Sequence, residues 1–365
     1  MKRVYNFSAG PSTLPESVLL KIQEECFDVN GSGMSVMEMS HRSSFFESIL
    51  NKTKQNLIDC LNIPNNYEVL FLQGGASLQF TMIPMNLLKK SKKLDLIHTG
   101  VWSQKAMEEA LLIGEVNVVA SGEASHFNEL PYVDTNKLNQ DADYLHFVSN
   151  NTIYCTQFHD TPVNHPTLVC DMSSDICSKP IDVSKYGLIF AGAQKNLGIA
   201  GLTIVIIRKD LLDNKGLILP SMLDYSVHAK NNSLYNTPSS FAIYVSGLML
   251  DWIKDLGGLS AIKKLNQTKA ELLYTTIDNS NLFRNNIRKN DRSLMNVKFS
   301  TNNDELDNRF IKYAESNDCV GIKGHRLTKG CRASIYNAMS IDGVKALIQC
   351  MRDFETIIQK EIKYV

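Results

Sequence analysis

Residues 167–195 read TLVCDMSSDICSKPIDVSKYGLIFAGAQK. Two short, nearly unbroken apolar runs lie in this stretch, Thr167 to Asp171 and Leu188 to Phe190. A strand with one wet face alternates apolar and polar side chains. A strand that is apolar throughout is covered on both faces, as in a parallel sheet flanked by helices. The same pattern recurs to either side in Val69 to Leu72, Leu94 to His98, Val116 to Ala120, Tyr144 to Val148 and Leu202 to Ile207. Helix-like segments separate several of these runs. Ser103 to Ile113, for example, carries Ala106, Ala110, Leu111 and Ile113 at helical spacing and stops at Gly114. The alternation predicts an α/β fold: a large domain with a mostly parallel, predominantly seven-stranded sheet covered by helices.

After Pro238 the pattern changes. Ser239 to Leu256 and Leu259 to Ile277 read as long helices divided by Gly257-Gly258; Leu294 to Phe299, Glu305 to Asn317, Ala333 to Tyr336 and Ile341 to Ile362 then alternate strand and helix. This predicts a smaller α+β C-terminal domain over 257–365, after a large domain over 16–256. Residues 1–15 hold two prolines and a Gly10-Pro11 turn signal, and read as an N-terminal arm outside any core.

The 365 residues carry 38 Lys+Arg against 38 Asp+Glu. Nucleic-acid binding needs a surplus of cations to replace condensed counterions, so that partner is not expected. No stretch approaches the roughly 20 apolar residues of a membrane helix, and no apolar segment follows the basic N-terminus as in a signal peptide. The eight cysteines form no C-x-x-C pair. They read as reduced thiols, and the chain as cytoplasmic. His159 and His165 flank Pro162 at a spacing that suits no metal site, so no metal is expected.

Ligands of open α/β sheets bind beyond the carboxyl ends of the strands, and four features fall there. Gln73-Gly74-Gly75-Ala76-Ser77 joins a strand to a helix, so its backbone can approach an anion that the helix N-terminus attracts. Asp171 ends a strand that should be buried, and a buried carboxylate needs a cationic partner. Lys195 lies in a loop of small residues, where a desolvated amine becomes a nucleophile. Trp102 follows another strand and offers an aromatic face. A strand-end Asp, a strand-end Lys and a glycine anion loop suggest pyridoxal phosphate: Asp171 holds the pyridinium nitrogen, Lys195 forms the Schiff base and the loop grips the phosphate. His41-Arg42, His325-Arg326 and Arg332 would supply a substrate with both a phosphate and a carboxylate with bidentate donors.

The segments NFSAGP (6–11), SHRS (40–43), LQGGAS (72–77), IPMNLL (83–88), SNNTI (149–153), AQKN (193–196), YNTP (235–238) and RASIYNA (332–338) run in one order along the chain. With them the sequence resembles the phosphoserine aminotransferase family, fold-type-I pyridoxal-phosphate enzymes of the class V group. The resemblance implies transfer of the amino group of L-glutamate to 3-phosphohydroxypyruvate, a phosphorylated 2-oxo acid. Some members also use a phosphorylated four-carbon analogue in vitamin B6 synthesis. It implies that Lys195 is the Schiff-base lysine and proton shuttle, and that Asp171 pairs with the pyridine nitrogen. Trp102 would stack on the ring and Thr152 would bond its phenolic oxygen. Ala76, Ser77 and Gln194 would hold the cofactor phosphate, joined by Asn236 and Thr237 from the neighbouring subunit of a homodimer. Arg332 would clamp the α-carboxylate, while His41 and Arg42 of the partner subunit, with His325 and Arg326, would receive the substrate phosphate or the glutamate side chain.

Two departures stand out. Some relatives have Arg where Ser77 stands, so phosphate binding would lean more on backbone amides. Leu327-Thr328-Lys329-Gly330-Cys331 replaces an expected glycine-rich stretch, and Lys329 could add an anion contact. Two rival readings remain: a cysteine desulfurase-like enzyme using Cys331, which would leave the two His-Arg pairs without a purpose, and a non-catalytic homologue acting as a binding protein. Retention of Lys195, Asp171 and the arginines argues against the second.

Overall fold

The computed structural model describes residues 3–214 and 216–363. From the N-terminus come β1 (Tyr5–Asn6), α1 (Glu16–Glu24), α2 (Ser44–Leu61), β2 (Tyr67–Leu72), α3 (Gly75–Leu87), β3 (Lys93–His98), α4 (Val101–Leu111), β4 (Glu115–Ser121), β5 (Tyr144–Val148), β6 (Leu168–Asp171), β7 (Leu188–Gly192) and β8 (Thr203–Arg208). All seven apolar runs become strands of one sheet, in the order β2-β8-β7-β6-β5-β3-β4. The pairings from β4 through β3, β5 and β6 to β7 are parallel, and β8 alone runs against its neighbours β7 and β2. The reversal has a simple cause. Only residues 193–202 join β7 to β8, fewer than the dozen or more that a parallel crossover takes. The chain therefore turns back at the carboxyl end of the sheet, and Lys195 lies in that turn.

Every residue of β5, β6 and β7 is buried, as their unbroken apolarity requires. Side chains alternate between two cores. Ile189, Ala191, Ile204 and Ile206 pack on one face with Phe46, Leu50 and Leu57 of α2, while Leu188, Phe190, Val205 and Ile207 meet Phe80 and Ile83 of α3 on the other. The remaining elements are α5 (Tyr225–Lys230), α6 (Ser240–Asp255), α7 (Gly258–Asn279), β9 (Asn296–Phe299), α8 (Asp304–Ser316), β10 (Cys319–Val320), β11 (Cys331–Ser334) and α9 (Ile341–Lys363). β9 and β11 pair antiparallel. Around them Phe283, Phe299, Phe310 and Phe354 build a third core from edge-to-face aromatic contacts. Helix α7 serves two cores: Leu259 and Ile262 at its start join the large-sheet core, and Leu273 and Ile277 near its end join the C-terminal one.

The N-terminal residues depart from the expected arm. β1 pairs in parallel with β10, the Phe7 N–H donates to Val320 O at 2.9 Å and the Ser334 N–H donates to Phe7 O at 3.1 Å. Phe7 itself is fully buried in the C-terminal core. A two-residue strand has too little pattern to be seen in sequence, and its partner is distant along the chain.

Candidate active site

The carboxyl ends of β5, β6 and β7 bring three sequence-predicted residues together. Asp171, the last residue of β6, is buried. Burial pushes its carboxyl upward, opposed by the charge of Lys195 and by the Ser173 N–H, which donates to Asp171 Oδ1 at 2.9 Å. Beyond β5, the Thr152 hydroxyl accepts from Lys195 Nζ at 2.9 Å. The same Nζ lies 5.6 Å from the centre of the Trp102 ring, in the first turn of α4. Burial pulls the Lys195 ammonium down to about 8; Asp171 opposes this and Arg332 adds to it. A lysine so placed has a substantial free-amine fraction near neutral pH.

The N-terminal segment helps to fix that lysine. The Ser12 hydroxyl donates to Lys195 O at 2.5 Å, and the Ser12 N–H donates to Gln194 O at 3.0 Å. Gly10 sits against the Lys195 stem with a φ of +152°, and a Cβ there would lie 3.5 Å from Lys195 Cγ. Tyr336, just beyond β11, donates from its hydroxyl to Ala9 O at 2.6 Å. Residues 9–12 thus form one wall of the site.

The start of α3 is built to take an anion. Gly74 is its N-cap, left-handed at φ +90°, with no side-chain cap hydrogen bond. A Cβ on Gly74 would stand 2.5 Å from Leu78 Cδ2, so only glycine fits. The first-turn amides, including Ala76 and Ser77, have no intrahelical acceptor, and with the helix dipole they favour an anion. Gln73 Nε2 donates to Thr237 O at 2.8 Å, which ties the segment carrying Asn236 and Thr237 to this turn. The indole Nε1 of Trp102 is buried without a hydrogen-bond partner among the described residues. An uncapped helix start, an orphaned indole donor, a buried carboxylate and a desolvated amine together fit pyridoxal phosphate: anion, aromatic ring, ring nitrogen and aldehyde.

Beside this group, Arg332 of β11 donates from Nη1 to the carbonyl of Thr152 at 3.0 Å, the residue whose hydroxyl meets Lys195. His325 precedes it in a turn whose Leu327 N–H donates to His325 Nδ1 at 3.3 Å. Burial lowers the His325 pKa, and the charges of Arg332 and Arg326 lower it further, so the three lie in one positive field. Arg326 is exposed. His41 and Arg42 stand apart, in the turn that leads to the N-cap Ser43 of α2. His41 Nε2 is buried with no hydrogen-bond partner among the described residues, and Arg42 is exposed. Among the described residues of this chain, no hydrogen bond or ion pair joins either to Lys195 or Arg332.

Two sequence expectations change. Lys329 Nζ pairs with Asp304 Oδ2 at 2.7 Å in a largely exposed ion pair, so an anion there would compete with that carboxylate. Cys331 is fully buried and its thiol is pushed well up by that burial, so it presents no thiolate nucleophile. One contributor escaped the sequence. Lys269 of α7 is fully buried and donates to the carbonyls of Ile335, Tyr336 and Asn337 at 3.0, 2.6 and 3.4 Å. Asn337 in turn donates from its N–H to Asn196 Oδ1 and from Nδ2 to Cys177 O. This network joins the segments that follow Arg332, Lys195 and Asp171. On a helix, Lys269 reads as one more solvated lysine, so no local signal marked it.

Residues 4–347 match the family model for the class-V aminotransferases. Fold and site together define a pyridoxal-phosphate-dependent aminotransferase of that class. The chain is 53% identical to a phosphoserine aminotransferase of Bacillus cereus, over 97% of this chain and 99% of the relative. A solved phosphoserine aminotransferase described for radiation damage of its Schiff base matches with a TM-score of 0.94 at 50% identity, covering 98% of this chain and 99% of the other. The PLP-bound phosphoserine aminotransferase of Trichomonas vaginalis matches with a TM-score of 0.92 at 38% identity, covering 96% and 100%. The chain belongs to the phosphoserine aminotransferase family.

Proposed function

We propose that this protein transfers the amino group of L-glutamate to 3-phosphohydroxypyruvate, giving O-phospho-L-serine and 2-oxoglutarate in serine biosynthesis. The grouping of Asp171, Lys195 and Thr152 beside Arg332 supports this most directly. When bound, the cofactor supplies an electron sink for the carbanion formed at the substrate's Cα. Asp171 keeps the ring nitrogen protonated, Trp102 covers the ring face and Thr152 orients its phenolic oxygen. Ala76, Ser77 and Gln194 hold its phosphate. Lys195 Nζ removes the proton from the substrate Cα, an amine near its working pKa being suited to both taking and returning it. Arg332 clamps the α-carboxylate shared by both substrates, while His325 and Arg326 receive the anionic tail.

His41 Nε2 and the Arg42 guanidinium, which have no partner among the described residues, support a homodimer in which each subunit lends these two residues, with Asn236 and Thr237, to its neighbour's site. The division into a cofactor-binding domain 16–256 and a C-terminal domain 257–365 belongs to the same reading, supported by the separate aromatic core around Phe310, which Phe7 of residues 1–15 joins. Among the described residues, no helix is long and apolar enough to cross a membrane. We place the enzyme in the cytoplasm and allow the phosphorylated four-carbon 2-oxo acid of pyridoxine biosynthesis as a second acceptor. A glutamate-dependent assay with both acceptors side by side tests the assignment. Turnover with the three-carbon acceptor is expected, and protein that binds the cofactor yet transfers no amino group to either acceptor would overturn it.

A further inference from the structure

Arg332 has a neighbour that the roles above do not use. In the antiparallel β9–β11 pair, Lys298 stands directly opposite Arg332. The Arg332 N–H donates away from β9, to Ile322 O at 2.7 Å. The two residues therefore form a non-hydrogen-bonded pair, the closer of the two antiparallel kinds, with both side chains on one face. That face is the cleft side, because Arg332 Nη1 reaches Thr152 O and the Thr152 hydroxyl accepts from Lys195.

Two cations opposed across a strand pair repel, and among the described residues no carboxylate forms an ion pair with either. Among the described residues, the Lys298 ammonium makes no hydrogen bond and no ion pair. The group whose charge bears on Lys298 is a thiol, that of Cys155, and no carboxylate. The fully buried Cys155 thiol senses both cations, and burial pushes it up to about 12 and so keeps it neutral. Lys298 is itself half-buried, and burial lowers its pKa. A half-buried cation beside a second one, with no carboxylate between them, is a place prepared for an anion from outside the chain.

We propose that Lys298 is a further substrate-binding residue that gives the substrate carboxylate held by Arg332 a second positive charge. The proposal rests on the aminotransferase reading above, since that reading puts a carboxylate at Arg332. Because both substrates share that carboxylate, Lys298 acts on both alike, unlike His325 and Arg326, which meet the tails.

The test uses the cofactor-loaded enzyme with Lys298→Met, which keeps the stem, and Lys298→Arg, which keeps the charge. In Lys298→Met the KM for L-glutamate and the KM for the phosphorylated 2-oxo acid are each expected to rise roughly 3- to 10-fold. The kcat and the visible absorbance of the bound cofactor should stay near wild type, and Lys298→Arg should restore both KM values. Unchanged KM values in an active Lys298→Met enzyme would overturn the proposal. So would a rise for only one substrate, or a joint loss of kcat and cofactor, which would mark a merely structural lysine. Failure of the function reading looks different: wild-type enzyme would then transfer no amino group in the same assay.

Discussion

Lys195 is tuned by opposing neighbours, and its chemistry follows from which of them wins. Burial dominates and brings the pKa from the ordinary 10.5 to about 8. Above that value the amine is free to attack a carbonyl, and below it the proton blocks the lone pair. Uptake of pyridoxal phosphate by the apoprotein should therefore quicken as pH rises through about 8. Stopped-flow absorbance would show this, and a rate independent of pH from about 6.5 to about 9 would contradict it. Lys195→Ala should yield colourless protein with no borohydride-reducible adduct. Lys269 poses a different question, since its ammonium serves only the backbone. Lys269→Met strands three buried carbonyls, each costing about 1–3 kcal/mol, and should lower the midpoint of urea unfolding measurably. Arg332 is displaced with them, so KM should rise more than cofactor affinity falls.

The turn from β2 into α3 and the return from β7 to β8 are the two elements that make the site. Gly74→Ala meets both the left-handed backbone, at about 1–2 kcal/mol, and Leu78. Cofactor affinity measured by fluorescence quenching should fall by at least about 10-fold, with a smaller effect on thermal stability. These elements were legible in the sequence because their chemistry marks itself. Glycine appears where the backbone must turn left, and the strands of a doubly covered sheet have no polar positions to hide. Asp171, Lys195 and Gly74 could be found in that way. Lys298, Lys269 and β1 could not, because a lysine on a strand or helix carries no mark of what stands opposite it. Pairings such as β1 with β10 or β9 with β11 depend on which distant segments meet. The ion pair of Lys329 with Asp304 was hidden for the same reason.

The molecule has two large-sheet cores and an aromatic C-terminal core, and the cleft lies where loops from both regions meet. If the chain forms a homodimer with shared sites, as proposed, mixing Arg42→Ala with Lys195→Ala subunits should restore activity. One site in each mixed dimer then has an intact lysine and an intact arginine from its neighbour; two inactive parents that stay inactive after mixing would contradict the shared site. Phe7→Ala should cost roughly 3–5 kcal/mol in the C-terminal core and loosen residues 9–12 against Lys195. The pairing of β1 with β10 also sets an order in time. During synthesis the first dozen residues leave the ribosome long before Cys319 and Val320 exist, and until then β1 has no strand to join. The wall over Lys195 thus forms only after residues 319–320 have emerged, and a nascent chain that lacks them cannot yet hold its cofactor securely.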